Sequence, residues 1–209
     1  MERALLSVGA AGVAIAAVAR ARLSNGRSMR VIGITGTLGA GKGAIVDFLV
    51  KEMGFAHYSV RSLLTRIIEE RGMPVNRDSM TKVANELRSQ NSPSYFAERL
   101  LQEATESGQD CIVESIRTVG EVEKLRELGA ILFAVDADQK LRYERVTARK
   151  SATDSVSFEK FCSDEAREMD SAGDPNKQNL RACIEAADVR IRNEGTLDEL
   201  HAQVRAALA

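Results

Sequence analysis

Val31-Ile-Gly-Ile-Thr-Gly36-Thr-Leu-Gly39-Ala-Gly41-Lys42-Gly43-Ala44 passes from an apolar run through a glycine-rich loop with one lysine into the start of an amphipathic segment. A loop that opens onto a helix N-terminus can turn several backbone N–H groups toward phosphate oxygens, and the helix dipole favours negative charge there. Gly36 and Gly41 occupy the fixed glycine positions of the G-x-x-x-x-G-K pattern, and Lys42 can reach β- and γ-phosphates. The nine residues Gly36, Thr37, Leu38, Gly39, Ala40, Gly41, Lys42, Gly43 and Ala44 are therefore read as a phosphate-binding P-loop rather than as a turn without a ligand. Gly43 stands where most such loops carry Ser or Thr for a magnesium ion.

Downstream of the loop, strand-like and helix-like segments alternate, which predicts a parallel sheet with helices on both faces. Strands are expected over 30–35, 55–60, 111–114, 130–135 and 188–192. Ile45, Phe48, Leu49 and Met53 recur at helical spacing, so 42–52 is a helix that Gly54 stops. Three helical stretches then follow without a strand: 62–71, 79–89 capped by Asp78, and 93–105 after Ser92. This excursion, about 61–106, is the candidate acceptor-binding insert. Helices over 141–150 and 158–169 flank a polar link at 151–156, so about 145–170 is the natural place for a lid. Thr196-Leu-Asp-Glu199 is a capping box opening a final helix. The fold class is α/β, a P-loop NTPase three-layer sandwich around a five-stranded parallel sheet.

At 209 residues the length favours one domain, 29–209, with an extension at 1–28. The 29 basic residues are spread among 30 acidic ones, so no nucleic-acid-binding face is implied. Cys111, Cys162 and Cys183 are widely spaced and read as reduced thiols. His57 and His201 lack neighbours at ligand spacing, which disfavours zinc and makes each a surface or strand residue. The apolar run at 4–19 is too short and too rich in alanine and glycine for a stable membrane span. It is an organelle-targeting presequence, a signal-like anchor or an over-called start before Met29, the first and third being favoured. The compartment is cytoplasmic, or mitochondrial or another organelle if 1–28 is a presequence.

Phosphoryl transfer spreads negative charge over the moving group, so it calls for Mg²⁺, a lysine and convergent arginines. Glu114 ends a predicted strand, where an acid points toward the P-loop; it is a magnesium ligand, directly or through water, or an ordinary strand-end acid. Arg117, three residues on, can bridge donor and acceptor phosphates, unless it is a plain surface arginine. Arg145 and Arg149 share a helix face at i, i+4, one to stack on a base and the other to clamp phosphate, unless the pair is a solvated face. Arg142 and Arg167 are weaker clamps. Lys42, Arg117 and Arg149 form the catalytic set, and ATP with Mg²⁺ the cofactor.

Gly36-Thr-Leu-Gly-Ala-Gly-Lys-Gly-Ala44 resembles the adenylate kinase loop, G-x-P-G-x-G-K-G-T, and Glu144-Arg-Val-Thr-Ala-Arg-Lys150 resembles that family's lid-helix arginine pair. That family also has glycine after the lysine, which implies magnesium held largely through water and phosphates. Leu38 replaces its proline, Ala44 its threonine, and Glu114-Ser-Ile-Arg117 stands for Asp-Gly-x-Pro-Arg. From 29 to 208 the chain is similar to the adenylate kinase-related and dephospho-CoA-kinase-like P-loop proteins typical of archaea, on Arg30-Val-Ile-Gly-Ile-Thr-Gly36, Ala84-Asn-Glu-Leu-Arg88, the Ile116-Arg117 pair with Glu121-Val122, and Ala187-Asp-Val-Arg-Ile-Arg-Asn193-Glu-Gly195. The resemblance implies a small-molecule kinase with Asn193 beside the adenine. Dephospho-CoA kinase carries an aspartate at the end of its second strand to deprotonate a hydroxyl, and this chain has His57-Tyr-Ser59-Val-Arg61 there.

A hydroxyl acceptor needs a base, whereas a nucleoside monophosphate is already an oxyanion. With Ser59, Arg61, Arg66 and Arg88 around the insert, the acceptor is read as a phosphate-bearing small molecule. The alternatives are a dephospho-CoA-type kinase acting on a hydroxyl, with Glu114 as base, and a P-loop ATPase or regulatory nucleotide-binding module.

Overall fold

Alternation along the strands decides how the layers stack. In β1 (Val31–Gly36) Ile32 and Ile34 face one side of the sheet, and Val31 the other. A computed structural model describes residues 29–149, 156–170 and 172–209. The N-terminal extension and most of the polar link lie outside the described residues.

Five parallel strands, β1, β2 (Ala56–Ser59), β3 (Cys111–Glu114), β4 (Ile131–Asp136) and β5 (Val189–Arg192), form one sheet in the order β2-β3-β1-β4-β5. On one face, α1 (Lys42–Met53) and α9 (Leu197–Leu208) cover Ile32, Ile34, Ile112, Phe133, Val135 and Ile191 through Ile45, Leu49, Leu200 and Val204. On the other lie α2 (Val60–Glu70), α3 (Arg77–Gln90), α4 (Tyr95–Ser107), α5 (Val119–Glu127) and α8 (Leu180–Glu185), which pack Leu64, Val83, Leu100, Leu125 and Cys183 toward Val31, Cys111 and Val113. Each fully buried Phe, Leu or Ile contributes roughly 1.5–3 kcal/mol, so the two apolar layers fix the sheet between them. The remaining helices, α6 (Gln139–Ala148) and α7 (Phe158–Met169), stand at the edge of the P-loop.

The strand order places the β1 and β3 ends side by side, with Ile34 in register with Glu114. The carboxyl edge beside β1 is where α/β sheets of this kind gather their ligands. The five strands and the helices over 158–169 and 197–208 match the sequence reading closely. Helix starts in the insert differ, and the reason is capping geometry. The α3 cap is Asn76, whose side chain accepts from Ser79 N at 2.9 Å, and Asp78 falls inside the first turn. A cap must sit in extended backbone two or three residues ahead of the N–H it holds, and Asn76 does (φ −146°, ψ 174°). Ser59 likewise caps α2, which starts at Val60 rather than at 62. In the last helix both halves of the predicted Thr196–Glu199 capping box are present.

Candidate functional site

Two glycines shape the loop. Gly36 leaves β1 with φ +136°, and a Cβ there would lie 2.1 Å from the Val135 carbonyl oxygen. Gly41 caps α1 with φ +97°, and a Cβ would lie 2.0 Å from Asn193 Nδ2. Asn193 crosses from the end of β5 to donate to the Ala40 carbonyl at 2.8 Å, and its own carbonyl accepts from Arg145 Nη1 at 2.9 Å. Thr37 donates to Asp136 at the end of β4, at 2.7 Å. The loop is thus tied at Thr37, Leu38 and Ala40 to neighbouring elements, the Leu38 carbonyl accepting from Arg142 at 3.2 Å. No Cβ at Gly43 would meet anything within 4 Å, so the missing hydroxyl there is not excluded by space.

A cleft of about 970 Å³ opens over the loop. Its floor is Leu38, Gly39, Gly41, Lys42, Gly43 and Ala44. Arg145, Arg149, Asn193 and Leu197 line one end; Arg61, Leu64, Arg77, Met80 and Arg88, from α2 and α3, line the other. Glu114, Arg117 and Glu168 stand between.

Lys42 Nζ donates to the carbonyls of Gly36 and Thr37, each at 2.9 Å. Burial, with the Arg117 charge adding to it, lowers its amine to about 8. Burial alone would push the Glu114 carboxyl up, but the neighbouring His57 imidazole, the Lys42 charge and the hydroxyls of Ser115 and Ser59 outweigh it and hold Glu114 at about 2. Ser115 donates to it at 2.8 Å and Ser59 at 3.1 Å, and His57 Nε2 lies 3.8 Å away. Ser115 has φ +74°, a left-handed conformation uncommon outside glycine, stabilised by its N–H bond to the Ile34 carbonyl at 3.0 Å. It takes the position that the sequence resemblance assigns to glycine, so the altered turn still forms.

Arg117 is partly buried between elements, its side chain 19% exposed. Burial disfavours its charge, but Glu168 of α7 pairs with it and raises the guanidinium above its ordinary range. Gln178 accepts from it as well, at 3.2 Å. Arg88 is 2% exposed, lies over the Phe96 ring, and commits Nε and Nη2 to Glu121 at 3.3 and 2.9 Å. Its Nη1 has no partner among the described residues.

Of the residues singled out from sequence, Lys42, Glu114, Arg117, Arg145, Arg149, Asn193, Arg61 and Arg88 meet at this cleft together with Leu38, Gly39, Gly41, Gly43 and Ala44. Others serve elsewhere. Ser59 is taken up by Glu114 and by capping α2. Arg66 lies on the outer face, 59% exposed and 3.9 Å from Glu103. Arg142 is a brace instead of a clamp: it is buried and joins the Ala137 and Leu38 carbonyls to Glu165. Arg167 pairs with Asp164 at 3.0 Å. Gly36, Thr37 and Ala40 shape the loop from beneath.

Sequence reasoning missed Arg77, Leu197 and Glu168. Leu197 is 56% exposed at the Arg145 and Asn193 end of the cleft, opening the capped final helix. The heptad-like spacing of Arg77, Ala84 and Arg88 on one α3 face was readable as a common surface. Nothing local marks Glu168, because its partner lies 51 residues away. Among the described residues no cluster of three or more His, Cys, Asp or Glu side chains is arranged to hold a metal, and no helix is long and apolar enough to cross a membrane.

Known proteins resemble this arrangement at several levels. A UPF0200 protein of Pyrobaculum aerophilum is 27% identical over 179 residues, covering 84% of this chain and 95% of the relative. The crystal structure of TT1252 from Thermus thermophilus superposes with a TM-score of 0.60 at 19% identity, over 87% of this chain and 97% of that one. The shikimate kinase of Bacteroides thetaiotaomicron does so at 0.55 and 10% identity, over 87% and 99%. The fold is accordingly that of the P-loop kinases. Residues 32–171, most of the sheet and its helices with the whole P-loop, match the AAA domain family, and the chain belongs to that family.

Proposed function

We propose that the protein transfers the γ-phosphoryl group of ATP to a small molecule that already carries a phosphate, a nucleoside monophosphate being the best match. The observation that carries this reading is Arg88: a buried guanidinium at the acceptor end with one N–H edge unpartnered, flanked by Arg61 and Arg77. Leaving a buried charged donor unpaired is costly, and an anion in the cleft removes that cost.

Donor and acceptor have separate ends of one cleft. The P-loop amides and Lys42 cradle the triphosphate, and Arg145, Arg149 and Leu197 flank the base. Glu114 fits a hydrated magnesium ion, since it stays ionised and keeps lone pairs beyond those used by Ser59 and Ser115. Magnesium would cancel charge on the β- and γ-phosphate oxygens. Arg117 sits between the two ends, where a guanidinium steadies the moving group. The acceptor's phosphate oxygen forms the new P–O bond, the bond to the β-phosphate bridging oxygen breaks, and ADP leaves with that electron pair.

A hydroxyl acceptor is the second reading, supported by the shikimate kinase likeness. It needs a base, and a carboxylate held at about 2 is a poor one. A coupled ADP-release assay over nucleoside monophosphates, dephospho-CoA and shikimate separates the readings, with Lys42→Ala as the inactive control. Turnover with monophosphates is expected. Turnover with a hydroxyl substrate alone reverses the ranking, and hydrolysis indifferent to every acceptor favours an ATPase or regulatory module.

A further inference from the structure

The helix that borders the cleft brings carboxylates to it, where a phosphate-gripping lid brings arginines. On α7, Asp164, Glu165 and Glu168 point to one side, and each meets an arginine from a different element. Asp164 accepts from Arg77 of α3 at 3.1 Å, Glu165 from Arg142 of α6 at 3.0 Å, and Glu168 from Arg117 after β3. Arg77 and Arg117 line the cleft, as does Glu168 itself. Asp164 is 2% exposed and also holds Lys160 and Arg167, at 2.6 and 3.0 Å. The first half of α7 is anchored separately by Phe158 and Phe161 against Tyr143.

We propose that α7 is an autoinhibitory latch in which Glu168 occupies the phosphate position on Arg117, so that a polyphosphate must displace it and thereby release the C-terminal half of the helix. The inference rests on reading the cleft as a phosphate site. Charge balance carries it. Lys42, Arg117 and Arg149 face Glu114 and Glu168, which leaves a single positive charge in excess. A triphosphate adds at least three negative charges beside Glu168, which turns an attraction into a repulsion. The Asp164–Arg77 pair extends the same latch to the acceptor end, so an acceptor phosphate that takes Arg77 loosens the same helix.

Cys162 reports on the latch from the last anchored turn, because its i+4 neighbour on the helix, Ala166, lies in the half that is released and uncovers that side of the thiol. It lies on α7 and is partly exposed, whereas Cys111 and Cys183 are fully buried, their thiols pushed up to about 12 by burial. Inorganic tripolyphosphate is titrated calorimetrically into the full chain and into Glu168→Gln and Glu168→Ala, and Cys162 labelling by an aromatic disulfide is timed with and without it. Far-UV circular dichroism checks that each variant folds. Expected are binding about tenfold tighter in both variants, faster labelling of the wild type on adding tripolyphosphate, and fast labelling of the variants without it. Equal or weaker binding in the variants overturns the latch, as does labelling that is unchanged or slowed by the anion. Direct binding needs no turnover: a protein that binds tripolyphosphate but transfers nothing refutes the kinase reading alone, and one that binds none refutes both.

Discussion

Replacing Arg88 with methionine tests how α3 is joined to the turn after β3. In the folded protein Glu121 Oε1 accepts both Arg88 bonds, while Oε2 accepts from Arg117 N at 2.8 Å and Thr118 N at 3.1 Å. Glu121 is 0% exposed, so Arg88→Met leaves a buried carboxylate with only its two backbone donors. Removing one member of a buried ion pair costs about 3–5 kcal/mol. The backbone donors keep half of the Glu121 partners and Met fills much of the volume, which sets the expectation at the lower end, about 3 kcal/mol. For a domain of this size that corresponds to a fall of roughly 6–12 °C in Tm. Urea unfolding followed by circular dichroism gives the free energy, and a thermal scan gives Tm. Glu121→Gln in the Arg88→Met background removes the stranded charge and is expected to recover part of the loss, so the two changes are non-additive. A loss below about 1 kcal/mol for Arg88→Met, or full additivity with Glu121→Gln, would show that Glu121 is hydrated and that the pair is not a buried joint.

Three further outcomes follow from the same geometry. Asn193→Ala takes the donor from the buried Ala40 carbonyl and is expected to cost about 1–3 kcal/mol and to raise the KM for ATP more than it lowers kcat; an unchanged KM would mean that the loop holds its shape without Asn193. Because Glu114 titrates at about 2 when folded against 4.5 ordinarily, its contribution to stability is complete above pH 4.5 and lost as pH falls toward 2. Glu114→Gln should flatten the acid limb of the stability curve, and an unaltered limb in urea titrations contradicts the assignment. Lys42 has the opposite sign of cost: its amine is at about 8 when folded against 10.5, so the unfolded chain binds more protons between those values and stability rises with pH across that window. Lys42→Met is expected to remove that rise and to stabilise the protein at pH 7, and persistence of the rise in the variant would assign it to another group.

Short-range patterns carried most of the fold into the sequence. The P-loop, the strand-end acid at Glu114 and the capping box at Thr196 depend on neighbours within a few residues, so spacing alone exposes them. Helix starts in the insert were less legible, because several Asn, Asp and Ser residues compete to cap and the winner is set by backbone angle. Among the arginines, residue type and position could not separate a brace such as Arg142 from residues that line the cleft, such as Arg145 and Arg149. All three sit on or just after one helix, and what distinguishes them is Glu165 and the Leu38 carbonyl, the latter 104 residues away.

The sequence by itself determined the α/β architecture, the phosphate loop and the type of chemistry its residues suit, because periodicity and local hydrogen bonding are written within single elements. Only the tertiary structure decided which charges are paired. Burial and distant partners set the state of a charged side chain, and the chain crossing that brings Glu168 to Arg117, Glu121 to Arg88 and Asn193 to Ala40 exists only once the sheet order β2-β3-β1-β4-β5 is formed.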